Sequence, residues 1–425
     1  MRNLTKAFVV LLAAASVADA QTIAITGGRV YTVSGSTIEN GTVVIRDGRI
    51  TQVGQNVAIP ADATRIDAGG KWVTPGLINS STQLGLVEVG LESTTRDVSA
   101  RGKDAIAAAF TAWAGFNPSS VLLTPARVEG VTTVLIAPSG GLVAGQAAVL
   151  DLVSGSLSDM MVRAPAAMVA QLEDKGSANL GARGEMVVKL RELLEDTRAY
   201  ARRRVEFERA ATRPFVASRL DLDAMIPVLD GRLPLVLEVN RSSEIEEALE
   251  LASAFGIRII IAGGAEAWMV ADKLAAARVP VVTGAMNNIP QSFNSLGARQ
   301  ENAAILRRAG VDVILVGDSG TGDAETFNVR NVKQEAGNAV AYGMTWDDAL
   351  RGVTLVPARV LGIADRYGSL EAGKVANVVV WSGDPFEFGT RAEHVIVRGR
   401  EIATPSRQDL LEQRYRTLPP DYRRP

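Results

Sequence analysis

Hydrophobic positions change their spacing twice along the chain, and each change predicts a change of architecture. From residue 21 to about 75, β-branched residues gather in short runs at 23–33, 42–46 and 50–53, with Asp47-Gly48 between the last two. Both residue types tolerate the left-handed backbone of a two-residue hairpin, so this pair predicts a tight turn between neighbouring strands. After Pro75 continuous apolar runs suited to buried parallel strands appear at 133–137, 233–239, 257–262, 279–283 and 311–316. Stretches with a 3.6-residue period, at 243–255, 266–278, 300–309 and 329–342, follow the later runs and read as crossover helices. Near Arg366 strand character returns, at 377–381 and 394–398, on either side of the turn Ser382-Gly383-Asp384-Pro385.

Repeated strand–helix units of this size predict an α/β chain whose residues 76–365 close a TIM-like (β/α)8 barrel. The strand-rich segments before and after it, 21–75 and 366–403, predict a small β-sandwich domain built from both chain ends. Residues 404–425 are polar and predict a surface helix with a loose end. The charged stretch 185–213, with Arg202-Arg203-Arg204, predicts a long solvated helix; a lid over a site is the alternative. Residues 1–20 are set apart from the fold. Arg2 and Lys6 precede a short apolar stretch, and Ala18-Asp19-Ala20 fits small-x-small cleavage, so export to the periplasm or medium after cutting behind Ala20 is expected.

Composition narrows the chemistry. With 47% hydrophobic and 22% charged residues over 425 positions and a formal net charge of −2, the chain reads as globular, with no long basic run for nucleic acid or an anionic membrane. A small molecule is the expected partner. Zero cysteines exclude disulfides, thiol nucleophiles and thiolate metal sites, and one histidine excludes any site built from two imidazoles.

The join between the first β segment and the barrel carries a motif. Gly69-Gly70-Lys71-Trp72-Val73-Thr74-Pro75-Gly76-Leu77-Ile78 resembles the approach to the first barrel strand in the amidohydrolase superfamily, in its exported imidazolonepropionase-like or dipeptidase-like branch. Leu315-Val316-Gly317-Asp318-Ser319-Gly320 resembles the end of that family's eighth strand. Gly368-Ser369-Leu370-Glu371-Ala372-Gly373-Lys374 and the later Val378-Val379-Val380-Trp381-Ser382-Gly383-Asp384-Pro385 resemble its return to the β-domain. The resemblance implies hydrolysis of C–N bonds in cyclic amides or small peptides. It also implies a divalent metal such as zinc, held by a His-x-His pair, further histidines and a last-strand aspartate.

Here the histidine slots hold other residues. Ser81 and Gln83 stand at the His-x-His positions, Glu238 at the middle-strand position, and Gly263-Gly264 after the next strand. The single histidine, His394, falls in the C-terminal β segment, away from the expected mouth. No transition metal is therefore expected. Asp318 and Glu238 remain as candidate catalytic groups, with Ser81, Gln83, Asn240 and Arg241 as candidate substrate contacts. Three readings stay open for the two carboxylates: a metal-free acid–base pair, ligands for a hard ion such as magnesium or calcium, or relics paired with cations such as Arg241. At the level of the protein, three classes follow: a hydrolase with a rebuilt site, a ligand-binding barrel, or a subunit that assembles with itself or with an active homologue. Two weaker segments complete the reading. Residues 138–146 form a Gly-rich loop without the ending of a phosphate-binding loop, fit for close approach to a ligand or to backbone. Residues 287–293 offer polar contacts at the mouth, or simple turn chemistry.

Overall fold

The computed structural model describes residues 22–103, 105–172, 181–286, 289–290, 292–317, 327–402 and 407–416. The proposed leader with its cleavage point at Ala20 lies outside the described residues, as does Asp318. Among the described residues no helix is long and apolar enough to cross a membrane.

The N-terminal segment forms β1 (Ile23–Val30), β2 (Ile38–Arg46), β3 (Arg49–Gly54), β4 (Thr64–Asp67) and β5 (Trp72–Pro75). Asp47 and Gly48 join β2 to β3 with φ of 52° and 75°, the left-handed pair that a type I′ turn demands. The barrel strands follow: β6 (Leu77–Thr82), β7 (Val131–Ile136), β8 (Val143–Asp151), β9 (Met161–Gln171), β10 (Leu235–Val239), β11 (Ile259–Gly263), β12 (Val281–Thr283) and β13 (Val313–Leu315). The chain then returns to the first sheet through β14 (Val378–Trp381), β15 (Ala392–Val397) and β16 (Arg400–Glu401). That sheet runs β16-β15-β14-β5-β1-β2-β3, with β4 beside β1, so both chain ends build one hydrogen-bonded unit. Its inward residues, among them Ile25, Ile45, Val73, Val378 and Ile396, make a core separate from the barrel's.

The second sheet runs β6 through β13 in chain order and is nearly closed. Seven of its strands point the same way, while β8 is antiparallel to both β7 and β9. A hairpin thus stands where a strand–helix unit was expected. Alternation divides each strand between two environments: on β10, Leu235, Leu237 and Val239 pack outward among the helices, whereas Val236 and Glu238 face the barrel axis. The segment after the helix Leu355–Val360 closes the lower end. Leu361, Ile363 and Tyr367 pack on Ile78, Leu135 and Val149, and Arg163 donates to the carbonyls of Leu361 and Gly362 at 3.0 and 2.9 Å.

The charged stretch is less solvated than its composition suggests. The helix Arg183–Arg202 buries Met186, Leu190, Leu193, Leu194 and Tyr200, and Asp196 beneath them accepts from Val216 N at 2.8 Å and pairs with Arg213. None of its residues lines the cavity described next.

Candidate functional site

A cavity of about 880 Å³ opens at the C-terminal ends of the barrel strands. Its floor is one apolar residue from each of six strands, Leu135, Val169, Val236, Ile260, Val282 and Ile314. Two residues further along β9 and β10, the same inward face presents Gln171 and Glu238, so polarity rises toward the mouth.

On β6 the register slips. Asn79 pairs with Val134 but Thr82 with Ile136, so three steps on β6 oppose two on β7. This bulge leaves Asn79 and Thr82 off the cavity and turns both Ser80 and Ser81 onto its wall, with Gln83 following. Asn79 fixes the bulge, donating from Nδ2 to Val329 O at 3.1 Å and accepting from Ser81 N at 3.0 Å. Gln83 Nε2 donates to Ser139 Oγ at 3.0 Å, while Gln83 Oε1 and Ser80 Oγ are buried without a hydrogen-bond partner among the described residues.

The opposite rim comes from the loop after β6. Arg96 and Arg101 both line the cavity; Arg96 is anchored on Gly90 O at 2.7 Å, and Arg101 is exposed. The turn between β7 and β8 holds this loop, with Ser139 N donating to Val98 O at 2.8 Å and Leu142 N to Ala105 O at 2.9 Å. Gly141 sits at φ 73°, and a Cβ there would lie 2.6 Å from Ala105 O, so this crossing needs glycine. Of the Gly-rich stretch at 138–146, only the first part is therefore turn; from Val143 the chain is already β8. Gly141→Ala is expected to destabilise the protein by about 2 kcal/mol in denaturant unfolding. An unchanged midpoint would show that the loop does not cross at this distance.

Of the residues expected from the sequence, Ser81, Gln83 and Glu238 meet in one cavity. Asn240 and Arg241 do not line it. Asn240 Oδ1 accepts from Ala265 N at 3.2 Å, bracing the turn after β11, and Arg241 reaches Phe293 O at 3.0 Å. Both follow β10 after it has left the barrel, which carries their side chains to the connecting loops. His394 lies on β15, with Nδ1 2.6 Å from Glu401 Oε1, in the chain-end sheet. Of the 287–293 segment, Asn287, Asn288 and Gln291 lie outside the described residues; Ser292 caps a short turn, accepting from Asn294 N at 3.2 Å. Sequence reading missed Arg96, Arg101, Ser80 and Ser139. The bulge at Ser80 has no sequence signature, but two arginines between the first two barrel strands were a visible signal.

Among the described residues, the donors at the superfamily's metal positions are a hydroxyl, a side-chain amide, one carboxylate and glycine backbone; Asp318, at the last-strand position, lies outside them. Among the described residues no group of three His, Cys, Asp or Glu gathers to hold an ion. With no cysteine and the single histidine on β15, these positions can offer only oxygen donors, which do not fit a zinc-type ion that wants imidazole or thiolate.

A barrel, a sheet drawn from both chain ends and a cavity at the strand C-termini define the amidohydrolase architecture. The amidohydrolase family model matches residues 237–403. Imidazolonepropionase of Pseudomonas putida is 28% identical over 417 residues, covering 87% of this chain and 95% of that one. The Mesorhizobium japonicum imidazolonepropionase is 25% identical over 385 residues, covering 81% and 87%. An amidohydrolase from Thermotoga maritima superposes with a TM-score of 0.81 at 26% identity, covering 90% of this chain and all of that one. Residues 237–403 thus match the amidohydrolase family, which commonly uses a divalent metal, and the relatives and the superposed fold support an amidohydrolase superfamily member.

Proposed function

We propose that this protein binds small carboxylate-bearing amides, such as N-acyl amino acids and dipeptides, without the superfamily's metal-centred hydrolysis. The observation that carries the reading is the wall itself: the metal positions offer Ser81, Gln83 and Glu238, while two arginines face the same space. On the rim, Arg101 lines the cavity with its side chain exposed, where an anionic group of the ligand can meet it. The apolar floor takes an acyl or side-chain group, and the volume suits a ligand of that size.

A second reading rests on Glu238. A carboxylate just above an apolar floor is placed to take a proton from water, giving slow metal-free hydrolysis. The two readings part in one experiment. Calorimetry with N-benzoylglycine, together with elemental analysis and amine release, is expected to show binding, far less than one equivalent of zinc, manganese or iron, and no turnover. Stoichiometric transition metal would overturn the reading. Metal-free amine release that disappears in Glu238→Gln would replace it with the second.

A further inference from the structure

Two buried atoms on the cavity wall are left without partners. Gln83 is 4% exposed and Ser80 is 5% exposed, yet Gln83 Oε1 and Ser80 Oγ meet no donor or acceptor among the described residues. Elsewhere in the same stretch polar groups are satisfied. Asn79 uses both ends of its amide, and Gln83 spends its own Nε2 on Ser139 Oγ. An unmet buried acceptor costs free energy that a bound molecule can recover, so its position indicates what the molecule must supply.

We propose that Gln83 and Ser80 recognise the amide group of the ligand and so determine specificity, Gln83 from a position where relatives are expected to place a metal ligand and Ser80 from beside the other. With Nε2 fixed on Ser139, the free Gln83 Oε1 can only accept. It takes the N–H of a secondary amide. The Ser80 hydroxyl donates to an oxygen of the same molecule, and the β6 bulge brings both side chains onto one wall. The ligand class is therefore narrower than carboxylate-bearing acyl compounds in general: the acyl group is joined through N–H, not through an ester oxygen or a substituted nitrogen. This inference rests on the proposed function, since it concerns the same cavity.

The test compares N-benzoylglycine with O-benzoylglycolate, which differs only by an oxygen in place of N–H, and with N-benzoylsarcosine, in which a methyl replaces the hydrogen. Wild-type protein is expected to bind N-benzoylglycine about tenfold or more tightly than either analogue. In Gln83→Leu the ratio to the glycolate should fall toward one. Ser80→Ala removes a single oxygen and guards against a misfolded Gln83 variant; it should weaken all three compounds by a similar factor, with circular dichroism unchanged. Equal affinity of wild type for N-benzoylglycine and the glycolate would overturn the inference while leaving the proposed function standing. So would a preference that survives Gln83→Leu. Failure to bind any of the three would remove the proposed function and this inference with it.

Discussion

Asp151→Ala is expected to destabilise the fold by about 3–5 kcal/mol, the largest loss from any single side chain described here. Asp151 closes β8 at the lower end of the barrel and is wholly buried. Its Oδ1 accepts from Thr133 Oγ1 at 2.9 Å and Asn377 Nδ2 at 3.0 Å; its Oδ2 accepts from Tyr367 at 2.9 Å and Arg398 Nε at 2.5 Å. Thr133 belongs to the barrel, while Asn377 and Arg398 flank strands of the chain-end sheet, so one carboxylate ties the two units together. Truncation strands four donors, and Asp151→Asn should be nearly as harmful because its NH₂ would face donors. Arg398 also donates to Asp159 O at 2.5 Å, so Arg398→Ala is expected to be costly by itself. The double variant should cost clearly less than the two single losses combined, since each removal already breaks the pair. Additive losses in denaturant unfolding would show that the pair is not coupled. Burial first, and the Asp151 carboxylate after it, push the Tyr367 phenol above its ordinary range. Because the folded value is the raised one, its contribution is complete below about pH 10 and is lost as pH climbs further. Tyr367→Phe should lack that component of alkaline destabilisation.

How far the sequence showed this depends on side-chain chemistry at particular strands. β10, β11, β12 and β13 are rich in valine, isoleucine and leucine, so their runs stand out as buried strands. β8 and β9 escaped notice because they are built from alanine, with Gly145 and Pro165 inside them. Their inward residues Ala147, Ala166 and Ala167 are small because the closing segment, with Leu361, Ile363 and Tyr367, fills the barrel against them. Space, not strand preference, selected them, and composition alone cannot report a neighbour 200 residues away. The same limit applies at the site. Ser81, Gln83 and Glu238 were legible because alternation and the family motif fix which positions end a strand. Asn240 and Arg241 lay beyond the strand end, where alternation no longer predicts direction. The two arginines were visible between the first barrel strands, but placing them at the mouth required knowing that the β7–β8 turn lies against residues 98–105.

Arg101→Ala should lower the affinity for N-benzoylglycine by about 10- to 100-fold, the range expected when a charge-assisted contact to a carboxylate is lost. Its uncharged amide, N-benzoylglycinamide, should be almost unaffected. The contrast matters because Arg101 occupies a loop whose path depends on Gly102 and Gly141, and a distorted loop would weaken both compounds together. Arg96 gives a different expectation. It holds Gly90 O at 2.7 Å, so Arg96→Ala removes a charge and an anchor at once and should affect both compounds, the carboxylate more strongly. Raising salt should erode the preference for the carboxylate in wild type and have little effect in Arg101→Ala, because Arg101 is exposed and its charge is open to screening. A loss in Arg101→Ala shared equally by the acid and the amide would assign that arginine to the shape of the mouth and leave the cavity without its anionic selectivity. A loss confined to the acid would place the ligand's carboxylate on the rim formed by residues 96–101, leaving its acyl end to the apolar floor.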